Sequence, residues 1–452
     1  MKISDGIRKV IKISSLVILA TFVLGGCAKK EKVEVYYTTD LHSHFTKALE
    51  KTLSKRDRKN TLLLDAGDII DIQTLDDAQW MSGEKTYGAI KDFSGVINEK
   101  ISEPREGVLP IVKKMGQYGY DMATVGNHEF YGGYKEFREL VNSFKIVKVP
   151  FMSANTFYTK KELGKSNDEC MSKQYLIKRL KVGNQYVKIG IIPLTTTTIN
   201  DEKRFKNGKI KFDKKVMLQY NPDYKGRMYM TDMVKEATKV SNELKKKENP
   251  DVVIMVVHSG EQPKIPLHTG NRVKELAEQV PNIDFIIGGH THTIVDENKY
   301  KGVDGRTVYY SQAGCHSNSL GLAQIYLKQK DGKWSVSDID AKVEKFKSDK
   351  NDPEDDSYER SFKGYTKKEY NELKKKKPDI YIDYTIMLPE KDKKIPTTGK
   401  GYKVYNQYVY KDKDHSEVIY YIKSPNYDDA YNLIKKYNPE AIEAYQKYKN
   451  KN

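Results

Sequence analysis

The chain has 452 residues, of which 38% are hydrophobic and 31% charged, with a net charge of +17 and three cysteines. This length holds one large domain and a smaller one, and the composition excludes a polytopic membrane protein and a fully disordered chain. So few cysteines exclude a disulfide-stapled scaffold, while the basic charge favours anionic ligands or surfaces without any known nucleic-acid motif beside it.

Lys2, Arg8, Lys9 and Lys12 precede an apolar run over 13–24 that is too short to span a bilayer as a helix. A positive flank, a short apolar core and small residues mark a secretory signal. Leu24-Gly25-Gly26-Cys27 resembles a bacterial lipobox, in which the cysteine is lipidated and becomes the new N-terminus. Residues 1–26 therefore read as a lipoprotein signal peptide and 27–32 as a polar tether. Cys27 is the expected lipid anchor, which places the chain in a bacterial cell envelope, outside the cytoplasmic membrane.

The main domain is expected over 33–345. Short β-rich runs are predicted at 33–37, 61–64, 122–125, 187–193, 252–257, 285–287 and 308–311. Amphipathic helical patterns at 109–118, 134–144, 230–246 and 272–279 alternate with them. Such alternation predicts an α/β domain with largely buried sheets. Residues 346–357 turn to Lys, Asp, Asn and Glu and read as a linker. The remainder, 358–452, is rich in Tyr and Lys and predicts a small α+β region. Its strands fall at 380–387, 402–410 and 418–422, and its helices at 428–437 and 440–449. The tyrosines suit packing and hairpin positions better than a ligand box. Cys170 and Cys315 are equally consistent with a pair and with two unrelated thiols.

The polar residues fall at the ends of the apolar runs. One strand leads into Asp40-Leu41-His42, a second into Gly67-Asp68, a third into Gly126-Asn127-His128-Glu129. Two later ones end at His258-Ser259-Gly260 and at Gly289-His290-Thr291-His292. In open α/β sheets, ligands bind beyond the carboxyl ends of strands. Asp, Asn and His are oxygen and nitrogen donors suited to Mn, Fe, Zn, Co or Mg. In an extended segment, residues i and i+2 point the same way, so Asp40 and His42, or His290 and His292, could converge on one ion. Each fragment alone is weak; five in order after predicted strands are specific.

Those motifs, with Ser153-Ala154-Asn155 and Gln312-Ala313-Gly314, resemble the calcineurin-like metallophosphoesterases, nearest to the bacterial 5'-nucleotidase and UDP-sugar hydrolase branch. The resemblance covers 33–328 and implies a four-layer α-β-β-α sandwich with a centre for two divalent transition-metal ions. It assigns Asp40, His42 and His292 to one ion, Asn127, His258 and His290 to the other, and Asp68 to both. It also implies a metal-bridging hydroxide as nucleophile and His128 as the residue that stabilises the transition state or protonates the leaving oxygen. The implied substrates are nucleotides, nucleotide sugars or other small phosphate esters. Alternatives are a same-fold hydrolase of a sulfur–sulfur bond and a surface binding lipoprotein with a relic metal site. Two departures stand out. Tyr131 occupies the place where the branch carries an Asp that orients the catalytic His. The branch's C-terminal nucleoside-binding domain is not recognisable in 345–452. The connection between Asp68 and Leu109, with Trp80 and Tyr87, is also longer than the family norm. It reads as a lid or binding loop, or as a surface insertion.

Overall fold

The computed structural model describes residues 31–70, 108–199, 214–262 and 269–347, together with the backbone of short strands within 84–102, 203–211 and 381–424. The signal segment, Cys27, most of 346–357 and the helices expected at 428–437 and 440–449 lie outside those residues.

Two six-stranded mixed sheets form the centre of the molecule. The first is built from β1 (Glu31–Thr38), β2 (Thr61–Asp65), β3 (Met122–Thr124) and β4 (Phe151–Met152), which are mutually parallel in that order. The second contains β5 (Leu176–Val182), β6 (Gln185–Thr195), β7 (Val252–His258), β8 (Phe285–Gly288), β9 (Ile294–Lys301) and β10 (Thr307–Ala313). Its order is β9-β10-β8-β7-β6-β5, parallel through β10-β8-β7-β6 and antiparallel at both edges. The chain then returns to the first sheet, where β11 (Ser319–Lys330) runs antiparallel to β1 and β12 (Lys333–Lys345) closes the edge.

The apolar pattern explains the layering. Side chains of a strand alternate between its two faces. In β2, Leu62 and Leu64 enter the core between the sheets, while Leu63 enters the core on the outer face. In β7, Val252, Ile254 and Val256 face the other sheet and Val253, Met255 and Val257 face outward. Helices cover both outer faces. Leu49 and Leu53 of α1 (Lys47–Leu53), Val112 and Met115 of α2 (Pro110–Tyr118) and Phe137, Leu140 and Phe144 of α3 (Gly133–Val147) pack on the first sheet. Ala237, Val240 and Leu244 of α4 (Met233–Lys247) and Leu276 of α5 (Val273–Gln279) pack on the second. Each such side chain contributes about 1.5–3 kcal/mol when fully buried. The four-layer α-β-β-α sandwich expected from the sequence is therefore present.

The helix starts and stops follow local chemistry. Pro110 sits in the first turn of α2, where its missing N–H costs nothing, and Gly119 ends the helix at φ +69°. Asp232 caps α4 by accepting the Lys235 N–H. A further sheet joins Glu84–Gly88 and Ile97–Ser102, from the long connection after Asp68, to Tyr381–Leu388, Ser416–Ser424, Tyr402–Tyr410 and Thr398–Gly399 of the C-terminal region. No disulfide joins Cys170 to Cys315. Among the described residues, no helix is long and apolar enough to cross a membrane.

Candidate metal centre

The strands β1, β2, β3, β7 and β8 all end at one edge of the sandwich, and the polar motifs follow directly. Asp40, Asp68 and Asn127 come from the first sheet and His258, His290 and His292 from the second, so the centre spans the two layers. The loops after β1 and β2 run side by side: Asp40 N–H donates to Gly67 O (2.9 Å), His42 N–H to Asp68 O (2.9 Å) and Ser43 N–H to Ile69 O (2.7 Å).

One expectation about this region is corrected. The Asp40/His42 and His290/His292 pairs do not converge by lying two apart on extended chain. Asp40 (φ +51°), His42 (+44°), Asp68 (+54°), His290 (+75°) and His292 (+54°) all adopt the left-handed conformation. Non-glycine residues pay for this conformation, and it persists only where the surroundings hold it. Here the holding groups are visible. His290 N–H donates to both carboxylate oxygens of Asp40 (3.0 Å each). His128 N–H donates to Asp68 Oδ1 (2.9 Å). The turns aim several donors at one point, which a flat strand end does not do.

Asp68 lies in the middle. Its Oδ2 is 3.0 Å from His258 Nε2, 3.8 Å from His128 Nε2 and 3.9 Å from His42 Nε2. On one side, His42 Nε2 and His292 Nε2 approach to 2.9 Å, and Asp40 Oδ1 is 3.6 Å from His292 Nε2. On the other, His258 Nε2 is 3.0 Å from Asn127 Oδ1, and ligand atoms of Asp68, His258 and His290 lie within 4.8 Å of one another. The structure thus brings all seven residues, and His128, into one cluster with Asp68 between two donor groups.

Further residues hold the cluster from behind, and of these spacing did not single out Asp65. Glu129 is buried and its carboxylate accepts the N–H groups of Gly126 (2.5 Å), Ile69 (2.8 Å), Asp68 (3.1 Å) and Ile70 (3.2 Å). It ties the loop after β3 to the loop after β2. Buried Asp65 accepts from Thr38 Oγ1 (2.6 Å) and Gly67 N–H (2.9 Å). His258 Nδ1 sits 2.8 Å from Ala66 O, which leaves Nε2 to face Asp68 and Asn127. Tyr131, 45% exposed, lays its ring on His128 at 4.2 Å, and its hydroxyl accepts from Asn127 Nδ2 (3.0 Å). Its hydroxyl therefore orients Asn127, although the sequence places it where the family's orienting carboxylate stands.

The charges are strongly perturbed. Burial pushes Asp40 above the usual carboxylate range. Burial acts the same way on Asp68, but the imidazoles of His258 and His128 hold it well below that range. Burial disfavours a charged His258, yet Asp68 pushes it up to about 10. Burial and then the neighbouring His316 pull His292 down to about 4. Burial and Asp68 push Glu129 up to about 7. An ionised carboxylate buried among oxygen and imidazole donors is a donor set for divalent cations, which would displace the imidazole protons on binding.

A profile of the family described as Calcineurin-like phosphoesterase matches residues 34–293, and the chain belongs to that family. Among its relatives are a 2',3'-cyclic-nucleotide 2'-phosphodiesterase/3'-nucleotidase of Salmonella typhimurium, 25% identical over 73% of this chain and 48% of the relative, and a 5'-nucleotidase of Vibrio cholerae, 29% identical over 59% and 43%. The chain spans about half the length of these curated relatives. The solved structure of the calcineurin-like phosphoesterase YfkN from Bacillus subtilis aligns with a TM-score of 0.50 at 22% identity, over 70% of this chain and 91% of that one, and supports the fold.

Proposed function

We propose that the chain is a lipid-anchored phosphohydrolase, acting on nucleotides, nucleotide sugars or similar small phosphate esters outside the cytoplasmic membrane. The observation that carries this reading is the position of Asp68 between two complete donor sets. Asp40, His42 and His292 would hold one divalent ion, Asn127, His258 and His290 the other, with Asp68 shared. A shared anionic ligand offsets the mutual repulsion of adjacent cations. Two ions bound there would acidify a shared water and neutralise charge on the phosphoryl oxygens. His128 Nε2 lies 3.8 Å from Asp68 Oδ2 on a side chain that is 21% exposed, so it can reach a bound ester. Its role is to stabilise charge on the phosphoryl group or to deliver a proton to the leaving oxygen as the phosphorus–oxygen bond breaks. The relatives' nucleotide-directed names favour nucleotides as the first substrates to try.

Hydrolysis by the full chain, with and without added manganese, tests the reading: phosphate release from 5'- and 3'-nucleotides, and monoester products from 2',3'-cyclic nucleotides and nucleotide sugars. Metal-dependent hydrolysis is expected for at least one class. Tight binding of two ions with no hydrolysis of any ester would favour a surface binding lipoprotein or a hydrolase of another bond. For the anchor, which rests on Leu24 to Cys27, Cys27→Ser should abolish partitioning into detergent; unchanged partitioning would remove the lipid from the proposal.

A further inference from the structure

Beyond the seven residues supplied by the family resemblance, one more imidazole reaches the cluster. Strand β10 ends at Ala313, and the connection to β11 passes through Gly314, Cys315, His316, Ser317 and Asn318. His316 (φ +54°) and Ser317 (+51°) are consecutive non-glycine residues in the left-handed conformation. That costs roughly 1–2 kcal/mol for each residue, so the surroundings must impose it. They do so from the first metal loop. His316 N–H donates to Asp40 O (2.8 Å), Thr46 N–H donates to Ser317 Oγ (2.9 Å), and Thr46 Oγ1 donates to Ser317 O (2.9 Å). A segment far along the chain is thereby stitched to the loop that carries Asp40 and His42.

The result of this strain is the placement of one side chain. The His316 ring lies 5.4 Å from that of His42 and 5.6 Å from that of His292. Ligand nitrogens of His42, His292 and His316 all fall within 4.8 Å of one another. On its other side, His316 stacks on buried His44 at 4.8 Å and 29°. Two members of the trio are the imidazoles already placed on the first ion, and strained backbone tends to collect at functional positions.

We propose that His316 is an additional protein ligand of the first cation, making that subsite three imidazoles with the carboxylates of Asp40 and Asp68. His44 is a positioning residue that supports the ring from behind. The proposal rests on the dinuclear reading above and deepens it. The two subsites then differ in kind. The first is richer in imidazole, which suits zinc, cobalt or iron, whereas the second contains the amide of Asn127 with two imidazoles and the shared carboxylate.

The test uses the full chain stripped with a chelator and titrated with Co²⁺, following visible absorbance and the number of bound ions by elemental analysis. The variants are His316→Ala and His316→Asn. Asparagine tolerates the left-handed conformation, so the second keeps the loop fold while withdrawing the imidazole. Wild type should bind two ions. Both variants should bind one ion as wild type does and the other at least about tenfold more weakly, the lower end of the loss that even outer-shell partners produce, with a changed cobalt spectrum. If wild type binds two ions and both variants match it in affinity and spectrum, His316 is no ligand and the dinuclear reading stands alone. If wild type binds no ions, both fall together.

Discussion

His128 takes its position from Asp68, because its own N–H donates to Asp68 Oδ1 at 2.9 Å, so the residue proposed to meet the substrate and the proposed shared ligand are set by one contact. Tyr131 lays a tilted ring against that imidazole, and its hydroxyl accepts from Asn127. The two residues should therefore fail in different ways. His128→Ala should lower turnover of alkyl phosphates by about two to four orders of magnitude, the usual range for general acid catalysis, and aryl phosphates much less, since a good leaving group needs little proton donation. Tyr131→Phe keeps the ring against His128 and removes the acceptor for Asn127, a hydrogen bond worth about 0.5–1.5 kcal/mol. It should loosen ion retention and leave the ratio of alkyl to aryl turnover near wild type. Turnover of both ester types by both variants is the measurement. A Tyr131→Phe variant that reproduces the leaving-group dependence of His128→Ala would show that the phenol acts through the imidazole after all.

At the scale of elements, the centre depends on how closely the loops after β2 and β3 approach. A Cβ on Gly126 would lie 2.2 Å from Asp68 Oδ1 and 2.3 Å from Asp68 N, both parts of a backbone and side chain that cannot retreat. Gly305, by contrast, has φ +80° and nothing within 4 Å of its would-be Cβ. Gly126→Ala should cost about 1–3 kcal/mol, as overpacking does, and should lose bound ions. Gly305→Ala should cost only the strain of its backbone and keep them. Equal losses of melting temperature and of metal content would refute the close-approach argument. The strand ends that make this contact were legible in the sequence, because β2, β3, β7 and β8 are short apolar runs that stop at polar motifs. The edge strands β9 and β12 were not, since half-exposed strands carry a weaker apolar signal and are settled by their partners. Nor was the left-handed geometry of Asp40, His42, Asp68, His290 and His292 legible, because i,i+2 spacing suggests extended chain. Glu129 stood beside the right motif, but that it reaches back to residues 68–70 is a tertiary fact. His316 had no spacing to betray it at all.

For the whole molecule, the centre joins the two halves of the sandwich. Asp40, His42, Asp68 and Asn127 follow strands of the first sheet, and His258, His290 and His292 end or follow strands of the second. Between the sheets, the core is held by apolar contacts such as those of Val35, Leu64, Ile189, Ile254 and Ile287 and by a few polar links such as Tyr37 to Ser311 and Tyr309 to Asp338. Ions shared across the edge would therefore staple the layers, whereas an unfolded chain would offer the same ligands far apart. A ligand that binds only the folded state stabilises it by about 2.7 kcal/mol at a hundredfold excess over its dissociation constant. Chelation should consequently lower the melting temperature by several degrees, and added Mn²⁺, Zn²⁺ or Co²⁺ should restore it in proportion to the logarithm of ion concentration. The shared ligand gives the control. Asp68→Asn removes charge facing both donor sets, so its melting temperature should respond little to chelator or ions, while His292→Ala, which leaves the second set and Asp68 intact, should keep part of the response. The check is a thermal melt of the three proteins across an ion titration. Identical ion responses in wild type and Asp68→Asn would mean that the stabilising ions bind elsewhere, and would dissolve the argument that this centre ties the sheets together.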